Sequence, residues 1–253
     1  MNLSGLVCTR NCIQNDYCFV ECITSMLAVC DEVVVHDKQS TDNTLEALKE
    51  WASRDSRIRV IEAKWEEPRD DRSWYVRWIN EGRVHARFPM LLHLDADEVL
   101  GDNDATYSAI KFCVDNKHAI AMNRLNFARD PFSLIPEGEC CGRYVVRCGP
   151  SHLKWVSDEP HRPGEIPLLD MATISPYALI FHLGFLRHPE AFFKKARVVL
   201  GAFFGNYDSR LVEAEANGKP PLSSFSWWNR LEPYKGTHPE AVKAWLRARG
   251  YRL

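Results

Sequence analysis

The sequence predicts an α/β protein in which a mostly parallel central sheet carries helices on both faces. Strand and helix signals alternate through the first 115 residues, and the short connections between them require parallel neighbouring strands. Apolar residues make up 45% and charged residues 26% of the 253-residue chain, the balance of a globular protein with a buried core. A chain of this length forms one large domain or one domain with an appendage.

Four strand signals in the first half of the chain each precede a helical signal. Runs of apolar and β-branched residues predict strands at residues 3–9, 32–36, 58–62 and 90–94. Apolar residues three and four apart predict helices at residues 16–30, 41–53, 73–87 and 104–116. Ligands of such sheets bind outside the carboxyl ends of the strands. The residues that follow each strand are therefore the first candidates for a functional site.

After residue 118 the pattern changes to alternating strands and to loops that contain Pro and Gly. Strands are predicted at residues 120–127, 144–147 and 178–183, and helices at residues 189–204 and 239–249. Lys194 and Lys195, in the first of these helices, are interpreted as part of a solvated face. Residues 183–253 carry twelve Lys and Arg against six Asp and Glu, so the C-terminal quarter is basic.

The composition excludes a membrane-spanning or collagen-like protein. The apolar stretches are well short of the roughly 18 residues that cross a bilayer, and the N-terminus lacks the basic start and apolar run of a signal peptide. We therefore expect a cytoplasmic protein. Its nine cysteines include no C-x2-C pair, so we expect mostly buried, reduced thiols rather than a zinc ribbon.

The strongest chemical signal is the segment Leu-Asp-Ala-Asp-Glu, in which Asp95, Asp97 and Glu98 directly follow an apolar strand. In an extended chain, residues two apart project to the same side, so Asp95 and Asp97 can both reach one hard cation such as Mg²⁺ or Mn²⁺. The alternative is a solvated turn between a strand and a helix.

A second polar segment follows the second strand and opens a helix. Asp37, at the end of that strand, can accept hydrogen bonds from ribose hydroxyls or from a base edge. Ser40, Thr41 and Asp42 are better explained as caps of the amide groups at the start of the helix.

The order of these segments is more specific than any one of them. A strand that ends at residues 8–10 is followed by Asp-x-x-Ser-Thr-Asp-x-Thr at residues 37–44 and by Leu-Asp-Ala-Asp-Glu at residues 94–98. This set resembles the family-2 glycosyltransferases with the GT-A fold. The resemblance covers residues 3–115 well and extends weakly to residue 200.

The resemblance implies inverting transfer of a sugar from a nucleotide-diphosphate sugar to an acceptor hydroxyl, assisted by Mn²⁺ or Mg²⁺. The acceptor would be a saccharide or glycan. Asp37 matches the acid that contacts the nucleoside, Asp95 the acid near ribose and metal, and Asp97 the metal ligand that bridges to the diphosphate. Thr9 and Arg10, at the end of the first strand, complete the predicted nucleotide-sugar site.

The resemblance also implies a separate role for each of three parts of the chain. Residues 1–117 would bind the nucleotide-sugar, residues 118–188 would form the acceptor and catalytic half of the same domain, and residues 189–253 would be a basic helical appendage. Lys38 and Gln39 depart from the small or acidic residues often found at those positions. The sequence also lacks a clear Gln-x-x-Arg-Trp segment and membrane helices, so we expect a non-processive enzyme.

Inverting transfer needs a general base for the acceptor hydroxyl. The segment at residues 155–162 supplies two adjacent carboxylates and resembles the Trp-then-His-Glu segment of some small family members. We favour Glu159 over Asp158 as the base. An exposed acidic loop is the alternative for both residues.

A late histidine and arginine complete the set of candidates. His182 is a candidate third metal ligand, and Arg187 a candidate contact of the diphosphate, in a His-x-Gly-x-x-Arg pattern similar to that of some bacterial family members. A buried core residue is the alternative for His182. His93, within the fourth predicted strand, is expected in the core.

Three other function classes stay open at this point. A nucleotidyltransferase would usually carry a glycine-rich loop after the first strand, which this chain lacks. A non-catalytic module could bind a nucleotide-sugar or glycan. The basic C-terminal quarter leaves room for a nucleic acid acceptor, although a pI near 6.5 weakens that interpretation.

Overall fold

Parallel strands form the first half of the central sheet. The computed structural model describes residues 1–66, 74–139, 143–153, 172–204 and 209–253. The strands β1 to β4 lie side by side in the order β4-β1-β2-β3, and all three contacts between them are parallel. Their bounds are Leu3–Thr9 (β1), Glu32–Asp37 (β2), Ile58–Glu62 (β3) and Met90–Asp95 (β4).

Helices pack against both faces of these strands. Their bounds are Phe19–Leu27 (α1), Thr44–Arg54 (α2), Trp74–Arg83 (α3) and Asp104–Asn116 (α4). Side chains of β1 alternate between the two faces: Val7 belongs to a core cluster with Ile23 of α1, and Leu6 to a second cluster with Ile79 of α3. Burial on both faces explains why these strands are almost continuous apolar runs.

The second half extends the sheet with antiparallel strands. β8 (Tyr144–Pro150) pairs antiparallel with both β4 and β6 (Ile120–Ala128). The long strand β9 (Thr173–Phe185) runs parallel to β6 and antiparallel to β5 (Glu98–Leu100). Two short strands, β7 (Ser133–Leu134) and β10 (Glu232–Pro233), complete the edge of the sheet.

The C-terminal region is helical and packs back onto the sheet. Its elements are α5 (Pro189–Phe204), α6 (Ser209–Ala216), a 3-10 helix (Ser226–Arg230) and α7 (Glu240–Ala248). Val242, Trp245 and Leu246 of α7 share a core cluster with Phe127 and Phe181. No helix in the described parts of the chain combines the length and hydropathy needed to cross a bilayer.

The predicted α/β class is confirmed, and most elements lie where the sequence predicts them. The bounds of β1, β3, α4 and α5 agree with the prediction, whereas α1 begins three residues later and α3 ends four residues earlier. The short strands β5, β7 and β10, the helix α6 and the 3-10 helix were not predicted. The cysteines that the structure describes are buried and free, as expected; they are Cys8, Cys12, Cys18, Cys22, Cys30, Cys113 and Cys148.

Candidate functional site

The strand order brings the predicted site residues to one edge of the sheet. Thr9 at the end of β1 lies opposite Asp37 at the end of β2, and Cys8 lies opposite Asp95 at the end of β4. In the second half of the sheet, His182 of β9 lies opposite Glu98 of β5, which follows β4 directly in the chain. The carboxyl ends of parallel strands therefore meet the end of β9 at the place where such sheets bind ligands.

Asp37 is fully buried and organises the turn after β2. One of its oxygens accepts hydrogen bonds from the hydroxyls of Thr9 (3.0 Å) and Ser40 (2.6 Å), and the other accepts from the Ser40 amide (2.9 Å). Ser40 thus supports Asp37 rather than capping α2. Of the predicted caps, Asp42 reaches the first helical amide, that of Thr44, at 2.9 Å.

Arg10, directly after β1, stabilises the same turn. Its guanidinium donates to the carbonyls of Lys38 (2.5 Å) and Gln39 (2.6 Å), and its Cζ lies 3.6 Å from the ring centroid of Trp65. Lys38 is buried and pairs with Glu81 of α3 at 2.5 Å. Arg10 and Trp65 therefore form a cationic, aromatic wall beside the ends of β1 and β2.

Asp95 is held by partners from two other elements. One oxygen accepts from Arg147 of β8 at 2.7 Å, and the other accepts from the Tyr75 hydroxyl of α3. Burial alone would raise the pKa of Asp95, but the adjacent Arg147 guanidinium holds it below its ordinary value. The side chain of Asp95 keeps 21% of its surface exposed, so this fixed carboxylate still faces the site.

Arg147 itself is a buried cation between two carboxylates. Besides Asp95, it binds both oxygens of the fully buried Glu98 at 2.8 and 3.0 Å. Glu98 also accepts from the Asp95 amide at 3.1 Å. Arg124 lies 3.5 Å from Glu98 as a second, more distant cation. The ion pairs of Arg147 fix the backbone at the end of β4, because loss of either partner would leave a buried charge with much weaker compensation.

Asp97 lies in the turn between β4 and β5, so the chain from Asp95 to Asp97 is not extended as the sequence argument assumed. One oxygen of Asp97 faces Arg187 at 3.0 Å and Lys195 at 3.4 Å. Burial would raise the pKa of Asp97, but the surrounding positive charge, that of Lys195 first, keeps it well below its ordinary value. Asp97 is therefore an ionised carboxylate with cationic neighbours.

His182 presents an unprotonated nitrogen to the other oxygen of Asp97. Its Nδ1 lies 2.9 Å from Asn126 Oδ1, which can only accept a hydrogen bond, so Nδ1 carries the proton. Burial lowers the pKa of His182 to about 3, so the ring is neutral at pH 7. Its Nε2 lone pair and the Oδ1 of Asp97 face each other across 3.8 Å. Two electron-pair donors in this arrangement suit a cation.

Only glycine fits at residue 184, between these side chains. A Cβ at that position would lie 2.6 Å from both Asp97 Oδ2 and His182 Nε2, and 3.1 Å from Arg187 Nη2. Arg187 donates from Nε to the Gly184 carbonyl at 2.7 Å, and its buried Nη1 has no hydrogen-bond partner among the described residues. The absence of a side chain at residue 184 therefore lets acidic, neutral and basic groups approach one backbone position closely.

The three predicted metal ligands do not converge. In the described part of the chain, no group of three or more His, Cys, Asp or Glu side chains is arranged to hold a metal ion. Asp97 and His182 face each other, whereas Asp95 is bound by Arg147 and Tyr75. A carboxylate oxygen and an imidazole nitrogen still form a donor pair that fits Mn²⁺.

The predicted general bases, Asp158 and Glu159, lie outside the described residues. The structure adds residues that the sequence argument did not select. Asn126 orients His182, Arg147 fixes Asp95, and Lys195 reaches Asp97 instead of belonging only to a solvated face. Arg147 follows two valines in the sequence of β8. A charged residue inside an apolar strand is rarely buried without a partner, and this is the local signal that could have indicated an ion pair for Arg147.

A sheet whose parallel strands end beside an acidic turn after β4, with a late histidine next to that turn, agrees with the fold that the sequence resemblance implies. The sequence profile described as Glycosyl transferase family 2 matches residues 6–137, slightly more than half of the chain. The chain belongs to this family, and the predicted resemblance is confirmed.

Solved structures with a similar fold include TarS of S. aureus. The crystal structure of TarS has a TM-score of 0.45 and 15% identity over 79% of this chain and 39% of that chain. The structure of TarS 1-349 in complex with UDP-GlcNAc has a TM-score of 0.47 and 16% identity over 80% of this chain and 66% of that chain. This chain thus spans less than two thirds of each of those chains. No curated protein matches the sequence.

Proposed function

We propose that this glycosyltransferase moves a sugar from a nucleotide-diphosphate sugar to a hydroxyl of a saccharide or glycan, with inversion at the anomeric carbon. The observation that carries the proposal is the group of side chains that meets at Gly184, where a Cβ would not fit. This group consists of the ionised Asp97, the neutral His182 and the buried Arg187, whose Nη1 has no hydrogen-bond partner among the described residues. A diphosphate accompanied by a divalent cation has the charges that this mixed lining complements.

Asp97 and His182 are the residues that would hold Mn²⁺ or Mg²⁺, with Asp95 beside them. A bound dication would act as a Lewis acid that stabilises the negative charge of the departing diphosphate. Asp95, whose carboxylate Arg147 and Tyr75 keep in one orientation, would face the ribose. Asp37, Thr9 and the wall of Arg10 and Trp65 would line the nucleoside end, on the far side of β1 from β4.

Arg187 contributes a fixed positive charge on the leaving-group side. Its guanidinium is held by the Gly184 carbonyl and by Asp97, and its Cζ lies 4.5 Å from the ring centroid of Tyr17. A donor group fixed before the reaction stabilises charge that develops in the transition state without reorganisation. The acceptor oxygen would attack the anomeric carbon from the opposite face while the bond to the diphosphate breaks.

A carboxylate on the acceptor side would take the proton of the attacking hydroxyl. We propose Glu159 for this role in preference to Asp158, on the sequence pattern alone. In this scheme residues 1–117 bind the donor, residues 118–188 complete the catalytic half, and residues 189–253 supply a basic appendage.

A screen of sugar nucleotides tests the proposed function. We expect one UDP- or GDP-sugar to raise the melting temperature by roughly 5 °C or more at saturation in Mn²⁺, and to be hydrolysed slowly to the nucleoside diphosphate. EDTA should abolish both effects. A full panel that gives neither stabilisation nor hydrolysis, in a protein that melts cooperatively, would contradict the proposal.

The variant Glu159→Gln tests the base. Because the amide cannot accept the proton, transfer should fall by at least about 100-fold while donor affinity, measured by calorimetry, stays unchanged. Asp158→Asn is the matched control and should keep most of the activity. If Asp158→Asn is the inactive variant and Glu159→Gln is active, the assignment of the base is wrong.

A further inference from the structure

Two adjacent lysines of α5 have different surroundings. Lys194 is exposed, whereas Lys195 turns towards the site, where its Nζ lies 3.4 Å from Asp97 Oδ2 and 4.7 Å from the ring centroid of Tyr17. The side chain of Lys195 is 28% exposed, against 4% for Arg187, the other cation on the same oxygen. Asp97 therefore has one deeply buried cation and one cation at the edge of the solvent.

The cluster carries excess positive charge before any ligand binds. Two cationic side chains, those of Arg187 and Lys195, lie 3.0 and 3.4 Å from a single oxygen of one carboxylate, that of Asp97. A dication that enters this cluster alone is repelled and must compete with Lys195 for Asp97, whereas a diphosphate is attracted. The charges thus favour binding of the metal and the diphosphate together over binding of the metal alone.

Lys195 is the cation that can change partners. Arg187 is fixed by its bond to the Gly184 carbonyl and by deep burial. Lys195 is attached to Asp97 by one long contact, its flexible stem has four carbons, and its ammonium is a point charge that does not depend on one planar geometry. The phosphate groups of a donor would offer it new oxygens close by.

We propose that Lys195 is an exchangeable counter-ion of Asp97, which neutralises this carboxylate in the free enzyme and moves to the diphosphate when the donor binds. Its departure leaves Arg187 as the single cation on Asp97 Oδ2 among the described residues, and so reduces the positive charge that a dication meets beside Oδ1 and His182 Nε2. Metal and nucleotide then bind cooperatively, and each increases the affinity for the other by the same factor. This inference rests on the proposed function and adds a coupling between its two binding steps.

Titration of Mn²⁺ against the full chain, followed by the EPR signal of hydrated Mn²⁺, tests the exchange without any turnover. Titrations are made without nucleotide and with UDP or GDP, and blanks with the same nucleotide correct for Mn²⁺ bound in solution. In the wild type, nucleotide should increase Mn²⁺ affinity by about 10-fold or more. Lys195→Met should bind Mn²⁺ alone more tightly than the wild type, and the effect of nucleotide should shrink to a few-fold.

Two further variants keep the result interpretable. Lys194→Met removes the same charge from the exposed face of the same helix and should behave as the wild type. Lys195→Arg keeps the charge and should restore most of the coupling. Unchanged Mn²⁺ affinity and coupling in a folded Lys195→Met variant would overturn the exchange and leave the proposed function intact. A wild type that binds no Mn²⁺ even with nucleotide would overturn the exchange together with the proposed metal site.

Discussion

Replacement of Asp97 by asparagine should reduce sugar transfer by at least about 100-fold while the protein stays folded. Asparagine has nearly the same shape, so the turn between β4 and β5 should persist, but the carboxylate charge opposite His182 is lost. Arg187 and Lys195 would then face each other without their shared counter-ion. Transfer rates with a donor from the screen, and Mn²⁺ affinity by EPR, measure the effect.

Asp104→Asn is the control for this experiment. Asp104 is an exposed carboxylate at the start of α4, so its replacement removes the same charge outside the cluster around Asp97. Activity within a few-fold of the wild type for Asp97→Asn, with an unchanged dependence on Mn²⁺, would remove Asp97 from the proposed mechanism. A loss of activity matched by a loss of cooperative melting would instead indicate a structural role.

Replacement of Arg147 by methionine should lower the free energy of unfolding by about 3–5 kcal/mol. Methionine fills much of the volume, but Glu98 is fully buried and would lose a cation that binds both of its oxygens, while Asp95 would lose its 2.7 Å partner. Burial already raises the pKa of Glu98, so we expect this carboxyl to become protonated in the variant. Urea denaturation followed by circular dichroism measures the loss.

The neighbouring Arg143 provides the comparison. It pairs with Glu137 at 2.5 Å, but both side chains are well exposed, so Arg143→Met should change stability by less than about 1 kcal/mol. A second comparison is the double variant Arg147→Met with Glu98→Gln, which should recover part of the lost stability because it removes a buried carboxylate that keeps only the more distant Arg124, at 3.5 Å, as a counter-ion. Equal stability of the two single arginine variants would show that the buried ion pairs do not stabilise the fold.

Local sequence patterns predicted the elements that are determined by their own residues. β3 and α4 have the predicted bounds because a β-branched run and a capped amphipathic segment each specify one conformation. β5 has only three residues, and it is a strand because it pairs with β9 far along the chain, with Val99 opposite Phe181 and Leu100 opposite Ile180. No local pattern contains that information.

The same limit applies to the candidate site. Residues that directly follow strands, such as Asp37 and Asp95, could be selected because the ends of parallel strands are where ligands bind. Lys195 could not, since its contact with Asp97 joins residues 98 positions apart, and a lysine beside another lysine on a helix resembles a solvated face. Arg147 is similar: its partner Glu98 is 49 positions away and belongs to the unpredicted β5.

Residues 182–195 comprise the end of β9, the connection to α5 and the first two turns of that helix. Four residues around Asp97 belong to this segment: His182, Gly184, Arg187 and Lys195. Helical residues advance by about 100° each, so one residue inserted between Leu186 and Pro189 would rotate Lys195 away from Asp97 without altering any side chain. Length variation among natural homologues should therefore be rare in this connection and freer in surface loops elsewhere. In the connection between β9 and α5, we expect the number of residues to be constrained as strongly as their chemical identity.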